Sequence, residues 1–310
     1  MTKFGLLLPM SRAHLDAGGT ARDVVETAVE AERLGYESVW VGDTLMRASL
    51  DPLTLLSALA TATEQVILGT AALLAPLRDP ILAANTISSI DLLSGGRLTL
   101  AVGSGFPGRS DPEFDLVGVP LEGRNARLDD IVALWRHLWS GGKSFHGKVL
   151  HYDSLPELPY PHRHGGPPIW LAGFTPKVLE RAGRSYDGWL PYPPNPEDFA
   201  SGLAAVRAAA PDADAVTPAL FATVLIAEDA ERGRRGLEQY CLANYGAPVE
   251  YIEKIQVLMT GSASQVAAQL ARYGGARHVL IRPAALAPSA FREQVSQVAG
   301  MITDIRGKLS

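Results

Sequence analysis

Strand-like and helix-like segments alternate along almost the whole chain, and this alternation predicts an α/β fold, a (β/α)8 TIM barrel with an insertion after strand 4. Apolar runs of strand length are separated by helical segments, a pattern typical of parallel strands joined by right-handed crossovers. Eight such units in 310 residues match one barrel better than an open sheet. No compositional break marks a linker, so a single domain is predicted over residues 1–310.

The eight predicted strands are short apolar runs in chain order. Most lack strict alternation of apolar and polar residues, as expected for strands that are buried on both faces of a parallel sheet. They read KFGLLLP, SVWVGD, QVILGTAALL, RLTLAVGSG, PIWLAG, DGWLPY, PALFATVLIAE and ARHVLIRP.

Capping residues mark where the intervening helices begin. Thr20, with Asp23 three residues later, has the capping-box pattern, and Gly35 marks the end of the same helix. A cap residue followed directly by proline is typical of a helix N-terminus. This pairing occurs at Asp51–Pro52, Thr175–Pro176 and Asn195–Pro196.

The longest interruption, residues 141–167, lies between units four and five. Its Gly, Pro and alternating residues predict an excursion with a small hairpin rather than a new domain. His146 and His151 lie in the predicted hairpin, and His162 and His164 follow it. No carboxylate stands at ligand spacing beside them, so we predict a surface cluster of histidines and no metal site.

Composition narrows the class of protein. The formal net charge of −5 argues against nucleic-acid binding, which usually requires a basic patch. A single cysteine, Cys241, excludes an internal disulfide framework and fits a reducing cytosol. No apolar stretch reaches the length of a membrane span, and the N-terminal run broken by Pro9 resembles a strand more than a signal peptide. We expect a cytoplasmic protein that binds neither membranes nor nucleic acid.

Barrel enzymes carry their chemistry at the carboxyl ends of the strands. After the fourth strand, GSGFPG (Gly103–Gly108) matches the dinucleotide-binding pattern. That motif requires its glycines to open a helix, whereas here the chain is expected to stay irregular for more than a dozen residues. The glycines let a flat or anionic ligand approach the backbone closely, or they only let the chain turn at the barrel rim.

Two further loops carry candidate polar groups. After the fifth strand, the N–H groups of Phe174, Thr175, Lys177 and Val178 and the Thr175 hydroxyl form a possible phosphate cradle at a helix N-terminus. Alternatively, Thr175 only caps its own helix. Asp43 ends the second strand, where it contacts a cofactor ring, acts as an acid or base, or caps the following loop.

Taken together, three segments resemble the bacterial luciferase-like family of flavin- and deazaflavin-dependent oxidoreductases. They are AERLGYESVWVGD, ILGTAALLAPLRDPILAANTISSIDLLSGGRLTLAVGSG and PPIWLAGFTPKVLERAGRSYDGW, which together span most of the chain. The resemblance implies a barrel that is usually dimeric and binds its cofactor at the carboxyl ends of the strands. It also implies a non-prolyl cis peptide bond after the third strand, here Ala71–Ala72.

The same resemblance implies the site residues. The cofactor phosphate is expected at Gly173–Thr175, and the tricyclic ring is expected against Ala71–Ala72. Gly103–Phe106 would border the ring or the ribityl chain, with Asp43 near the polar edge of the ring. The implied catalytic residues are Asp43 and Thr44, no metal ligand is implied, and the implied cofactor-binding residues are Asp43, Thr70, Ala71, Ala72, Gly103, Ser104, Gly105, Phe106, Ala172, Gly173, Phe174 and Thr175.

Three departures from the family pattern bear on the reaction. Thr44 stands where luciferases and several deazaflavin dehydrogenases have a catalytic histidine. Phe106 stands where those dehydrogenases have a glutamate. Ser104 replaces a phosphate-binding arginine, for which Arg109 or Arg12 would substitute.

Three functions are compatible with this pattern. The first is a two-component monooxygenase that takes FMNH2 from a separate flavin reductase and uses O2 on an organic small-molecule substrate; it is favoured because G-T-A-A matches the luciferase branch. The second is a hydride-transfer oxidoreductase dependent on the deazaflavin coenzyme F420, and the third is a flavin-binding relative without catalysis. A substrate pocket of apolar bias is expected, unless its residues only pack the rim: Met10, Met46, Phe106, Trp189 and Tyr192.

Overall fold

The computed structural model describes residues 2–106, 108 and 110–307. The chain has the predicted (β/α)8 barrel fold, in which eight parallel strands alternate with helices. Its contacts form two compact units: the first comprises Met1–Trp40 and Trp170–Ser310, and the second Val41–Ile169. The single-domain prediction for residues 1–310 stays a prediction.

The strands and helices follow one another in chain order. The strands are β1 (Lys3–Leu7), β2 (Ser38–Val41), β3 (Ile67–Leu73), β4 (Leu98–Val102), β5 (Phe145–His146), β6 (His151–Tyr152), β7 (Ile169–Ala172), β8 (Gly188–Leu190), β9 (Thr217–Ile226), β10 (Leu258–Gly261) and β11 (His278–Pro283). The helices are α1 (Arg12–Asp16), α2 (Ala21–Arg33), α3 (Pro52–Ala62), α4 (Pro80–Leu93), α5 (Asp111–Leu116), α6 (Arg124–Trp139), α7 (Pro176–Ser185), α8 (Pro196–Ala209), α9 (Ala230–Tyr245), α10 (Val249–Ile252), α11 (Ala263–Ala271) and α12 (Pro288–Gly307).

In the first unit, the strands pair in parallel. β1 lies between β2 and β11, β11 also pairs with β9, and β8 lies between β7 and β9. The sequence did not predict β10, which adds to the carboxyl half of β9. In the second unit β3 and β4 pair in parallel, and β5 and β6 form the predicted antiparallel hairpin within the excursion.

The interior of the first unit contains a buried polar cluster. Trp40 Nε1 donates to Ser38 Oγ (2.7 Å), which lies 2.7 Å from His278 Nε2. The Ser38 hydroxyl thus pairs with both rings, accepting from the Trp40 N–H and sharing one hydrogen bond with His278 Nε2. Burial lowers the pKa of His278 to about 3, so the ring is neutral near pH 7. The cluster links β2 to β11 within the core.

The helix caps agree in part with the sequence predictions. Thr20 and Asp23 form a complete capping box, and the Asp51 side chain accepts from the Thr54 N–H at 2.9 Å. Thr175 and Asn195 occupy N-cap positions, but neither side chain makes a capping hydrogen bond. The Thr175 hydroxyl is therefore not used to cap its own helix.

The prediction of an irregular chain after the fourth-strand glycines is wrong in part. Residues Asp111–Leu116 form α5, with Ser110 at the N-cap and Pro112 in the first turn. A proline in the first helical turn removes only an N–H group that has no helical partner, so it is compatible with a helix start. Pro107 and Arg109 lie outside the described residues.

Candidate functional site

In the second unit, the ends of β3 and β4 lie side by side. The Gly103 N–H donates to the Leu73 carbonyl at 2.9 Å. A Cβ atom built at Gly103 would lie 3.6 Å from the Ala72 Cβ. The peptide bond between Ala71 and Ala72 is cis, as the family resemblance implies. Two of the predicted cofactor segments, Ala71–Ala72 and Gly103, are thus neighbours.

Asp43 fixes the loop that follows β3. Its carboxylate accepts the Leu74 N–H at 2.9 Å, and its two oxygens lie 3.1 and 3.2 Å from Arg78 Nη2. The Asp43 side chain is only 5% exposed and the Arg78 side chain 22%. Burial raises the pKa of the Asp43 carboxyl, while Arg78 opposes the rise by favouring the charged form. The geometry gives Asp43 a positioning role, and its catalytic role stays a prediction.

Thr44 contacts a carboxylate that the sequence did not single out. The buried Glu113, on α5, accepts three hydrogen bonds at its Oε1 atom. The donors are Thr44 Oγ1 at 2.8 Å, the Leu45 N–H at 2.7 Å and the Met46 N–H at 3.3 Å. The hydroxyl proton of Thr44 is thereby committed to Glu113.

Three other predicted residues form hydrogen bonds with protein atoms within the second unit. Thr70 is buried, and its hydroxyl donates to the Ala101 carbonyl at 2.8 Å, so its side chain links β3 to β4. Ser104 Oγ donates to Asn125 Oδ1 at 2.7 Å. Phe106 leaves its side chain exposed, while its N–H donates to Ser110 Oγ at 3.0 Å.

In the first unit, the predicted phosphate cradle surrounds Gly173–Thr175. Gly173 has φ of +124°, a conformation that side-chain-bearing residues rarely adopt. The Val178 N–H donates to the Thr175 carbonyl at 2.8 Å, so its predicted availability to a ligand is wrong: the first helical turn uses it. Among the described residues, the N–H groups of Phe174, Thr175 and Lys177 find no acceptor.

Trp189 packs against this cradle. It is fully buried and stacks on Phe174 (ring centroids 6.3 Å apart) and Phe199 (5.5 Å). Its Nε1 donates to the Gly173 carbonyl at 2.9 Å. Met10 is likewise buried, so the packing alternative applies to both of these residues.

Arg282, at the carboxyl end of β11, was not among the site residues predicted from the sequence. The Arg282 guanidinium lies 4.8 Å from the Phe221 ring centroid and 5.1 Å from that of Tyr245. Its Nε and Nη2 donate to Thr223 Oγ1. These contacts hold a positive charge against aromatic faces at the end of the barrel that carries chemistry.

A cavity of about 460 Å³ in the first unit lies away from the carboxyl strand ends. It is lined by the amino ends of β1 and β11 and by α11 and α12, through residues such as Phe4, Leu270 and Met301. Barrel enzymes place chemistry at the opposite strand ends, so the cavity does not belong to the predicted site.

The remaining charged residues of the described chain do not form a further binding site for a phosphate or a metal ion. Arg12, a predicted substitute for the phosphate-binding arginine, pairs with Asp16 one helical turn away. Within residues 2–106, 108 and 110–307, no group of three or more His, Cys, Asp or Glu side chains is arranged to hold a metal ion. None of the described helices combines the length and the hydropathy needed to cross a bilayer.

Each unit, taken by itself, carries groups suited to one part of a flavin or a deazaflavin. In the second unit, Ala71, Ala72 and Gly103 offer side chains small enough for a flat ring to lie against the backbone. In the first unit, three N–H groups and the Thr175 hydroxyl supply the donors that a phosphate accepts at a helix N-terminus.

Comparison with known proteins identifies one family. The family model described as luciferase-like monooxygenase matches residues 1–285. A crystal structure of the monooxygenase RslO1 from Streptomyces bottropensis superimposes with a TM-score of 0.82 and 23% identity over 98% of this chain and 100% of that one. At this identity the likeness shows the fold alone.

The curated relatives match this chain over only part of their own length. An F420-dependent glucose-6-phosphate dehydrogenase of Amycolatopsis mediterranei (strain U-32) is 34% identical over 54% of this chain and 53% of its own. The match therefore spans about half of that relative. A phthiodiolone/phenolphthiodiolone dimycocerosates ketoreductase of Mycobacterium bovis (strain BCG / Pasteur 1173P2) is 27% identical over 76% of this chain and 68% of its own.

Proposed function

Since the chain belongs to the luciferase-like monooxygenase family, whose members use flavins or F420, we propose that it is an F420-dependent oxidoreductase. The observation that carries this choice is the pair of curated sequence relatives, which are named as a dehydrogenase and a ketoreductase. When bound, F420 would supply hydride transfer to or from an organic substrate.

The chain's own residues have separate tasks in this proposal. The N–H groups and hydroxyl around Thr175 bind the phosphate of the cofactor. Ala71, Ala72 and Gly103 form the surface against which the ring rests. Asp43 holds the loop after β3 in place through Leu74 and Arg78, which keeps the ring surface fixed. Fixed surfaces of this kind lower the entropy lost when the reactants meet.

A two-component FMN monooxygenase is the second candidate. The G-T-A-A sequence of β3, which matches the luciferase branch, supports it. In that case a separate reductase would supply FMNH2, and the residues described above would exclude water from the reduced ring. Both candidates use the same phosphate and ring contacts, so the cofactor itself distinguishes them.

The test is equilibrium binding of the purified protein to reduced F420 and to FMNH2, anaerobically and side by side. Tighter binding of F420 is expected. Tight binding of FMNH2 alone would overturn the first candidate in favour of oxygen chemistry and a partner reductase. Failure to bind either cofactor would refute both candidates.

We also propose that the protein forms a homodimer through α3 and α4 of the second unit. Between Pro52 and Thr63 and between Pro80 and Gly95 the only charged residue is Asp91, which is fully buried. The exposed positions include Leu82, Leu92 and Leu93. Depletion of charge around exposed apolar side chains is typical of the centre of a protein interface. A second copy supplies the matching uncharged surface through a twofold axis.

A further inference from the structure

A cavity of about 460 Å³ lies where α11 and the carboxyl end of α12 meet the amino ends of β1 and β11. All of its lining residues belong to the first unit. An apolar cavity of about 150 Å³ is large enough to hold benzene, so this one has room for a compound of about two fused rings with a side group. Because barrel enzymes carry their chemistry at the opposite strand ends, the cavity is separate from the predicted cofactor site.

Small side chains on α11 create the space. Ala263, Ala267 and Ala271 line the cavity, and their spacing of four residues places them on one face of the helix. The helix has a defined start, since Ser262 and Gln265 complete a capping box there. An alanine side chain ends at Cβ, so this face leaves a gap that larger side chains would fill. The gap beside α11 is therefore wide enough for another molecule.

The floor of the cavity is apolar. Phe4 on β1 and Val279 on β11 are partners in the parallel register, and both are buried. Met301 on α12 is buried as well, and all three residues line the cavity. Apolar walls favour the transfer of an apolar group out of water, which makes a ring or an alkyl chain the matching part of a ligand.

Two hydroxyl groups that line the cavity donate their protons to the chain itself. Thr2 Oγ1 donates to the Ala276 carbonyl at 3.0 Å, and the Tyr273 hydroxyl donates to the Pro194 carbonyl at 2.7 Å. These protons are not available to a ligand. Recognition of a polar head group therefore depends on the charged side chains at the cavity.

The charged residues that line the cavity are Asp304 and Arg306. The Arg306 guanidinium donates to the Glu37 carboxylate and to the Gly35 carbonyl, so its charge is balanced within the fold. Among the residues that the structure describes, Asp304 forms no ion pair, and it is exposed. The cavity thus presents one unbalanced negative charge, which a cation complements.

We propose that the cavity binds a small organic amine, whose apolar ring or chain lies against Phe4, Val279 and Met301 and whose protonated nitrogen pairs with Asp304. A carboxylate or a phosphate would be repelled by the same charge and would lose its hydration against apolar walls. The amine site is a second binding site on the protein, and it does not depend on which cofactor the first site binds.

The test compares three naphthalene compounds with different head groups: 2-naphthylmethylamine, 2-naphthylmethanol and 2-naphthoate. Dissociation constants are measured by calorimetry at pH 7.5, with and without saturating F420 or FMN. The amine is expected to bind about three- to fivefold more tightly than the alcohol, which is the gain that a partly exposed ion pair gives. The naphthoate is expected to bind more weakly than the alcohol. Neither cofactor is expected to change the dissociation constant of the amine.

Two variants test the charge and the location. Asp304→Asn removes the charge and keeps the size of the side chain, so the amine is expected to bind only as tightly as the alcohol, whose affinity stays unchanged. Ala267→Leu extends a lining side chain and is expected to weaken binding of both compounds about tenfold. The matched controls are Glu238→Gln on α9 and Ala200→Leu on α8, at exposed positions that do not line the cavity. Both are expected to leave the affinities unchanged.

The outcomes separate the site from the ligand class. If none of the three compounds binds the wild-type protein, the cavity is not a binding site. Equal affinities for amine and alcohol, or an Asp304→Asn variant that keeps the wild-type preference, overturn the choice of an amine. A folded Ala267→Leu variant with wild-type affinity, or displacement of the amine by a cofactor, places binding elsewhere and overturns the cavity as its site. If Ala267→Leu does not fold, Asp304→Asn still decides. The proposed function is tested by cofactor binding alone and is unaffected by these results.

Discussion

Replacement of Arg78 by methionine tests the reasoning about Asp43. The substitution keeps the length of the side chain but removes the charge that faces a carboxylate only 5% exposed. Breaking a buried ion pair by removing one partner costs about 3–5 kcal/mol. Arg78 is 22% exposed, so solvent screens part of this interaction, and its second pair, with the more exposed Asp51, adds little. We expect a loss of about 2–4 kcal/mol at pH 7.5.

The loss of stability caused by Arg78→Met should increase with pH. Burial already raises the pKa of Asp43 in the folded protein, and removal of Arg78 raises it further. Ionisation of Asp43 therefore lowers the stability of the variant as the pH rises above about 3.9, the pKa of an aspartate in the unfolded chain. The loss of stability is therefore expected to be smaller at pH 4.5 than at pH 7.5, because a larger fraction of the Asp43 carboxyl is protonated at the lower pH.

The assay is thermal and urea unfolding of wild type and Arg78→Met at pH 4.5 and 7.5. For a chain of 310 residues, 2–4 kcal/mol corresponds to a decrease in Tm of roughly 3–6 °C. The double variant Arg78→Met/Asp43→Asn has no buried charge, so its loss should be smaller than the sum of the single losses and independent of pH. Equal losses at both pH values, or additive losses in the double variant, would refute the argument.

Three further predictions concern the phosphate cradle, the dimer and helix packing. Thr175→Val should weaken FMN or F420 binding tenfold or more without changing the affinity for riboflavin, which lacks the phosphate; equal effects on FMN and riboflavin would contradict the cradle. Leu82→Glu should convert a dimer to monomer in sedimentation velocity, whereas Leu116→Glu should not. At Gly300, an added Cβ meets nothing within 4 Å, so Gly300→Ala should stabilise α12 by about 0.5–1 kcal/mol. At Gly183, an added Cβ would clash with the Val206 carbonyl oxygen, so Gly183→Ala should destabilise the protein by about 1–3 kcal/mol. Urea unfolding measures both changes.

Local signals in the sequence predicted the fold and two local features of the candidate site. Eight buried runs separated by helices define the barrel, and the Thr175–Pro176 pair marks the start of α7. The resemblance located the cis bond at Ala71–Ala72. These features depend on residues adjacent in sequence, or on a motif that the family shares.

Contacts between distant residues could not be predicted in this way. Glu113 binds Thr44 across 69 positions, and a lone glutamate after two prolines gave no sign of that partner. α5 was also missed, for a local reason: the segment after the fourth-strand glycines was expected to stay irregular, whereas Pro112 lies in a first helical turn, where proline is tolerated. Arg282 and its aromatic neighbours likewise meet only after β9, α9 and β11 have assembled.

The start of α5 anchors two loops, because Ser110 Oγ accepts the Phe106 N–H and Glu113 Oε1 accepts the Leu45 and Met46 N–H groups. This anchoring constrains how the segment can change during evolution. Insertion or deletion of one residue between Ser110 and Glu113 would rotate Glu113 by about 100° around the helix axis relative to Ser110. The two residues could then no longer anchor both loops at once. Point substitutions at Leu45, Met46 or Phe106 leave the anchors untouched. The length of the turn from Ser110 to Glu113 is therefore expected to stay constant among descendants, while the three exposed side chains are free to vary.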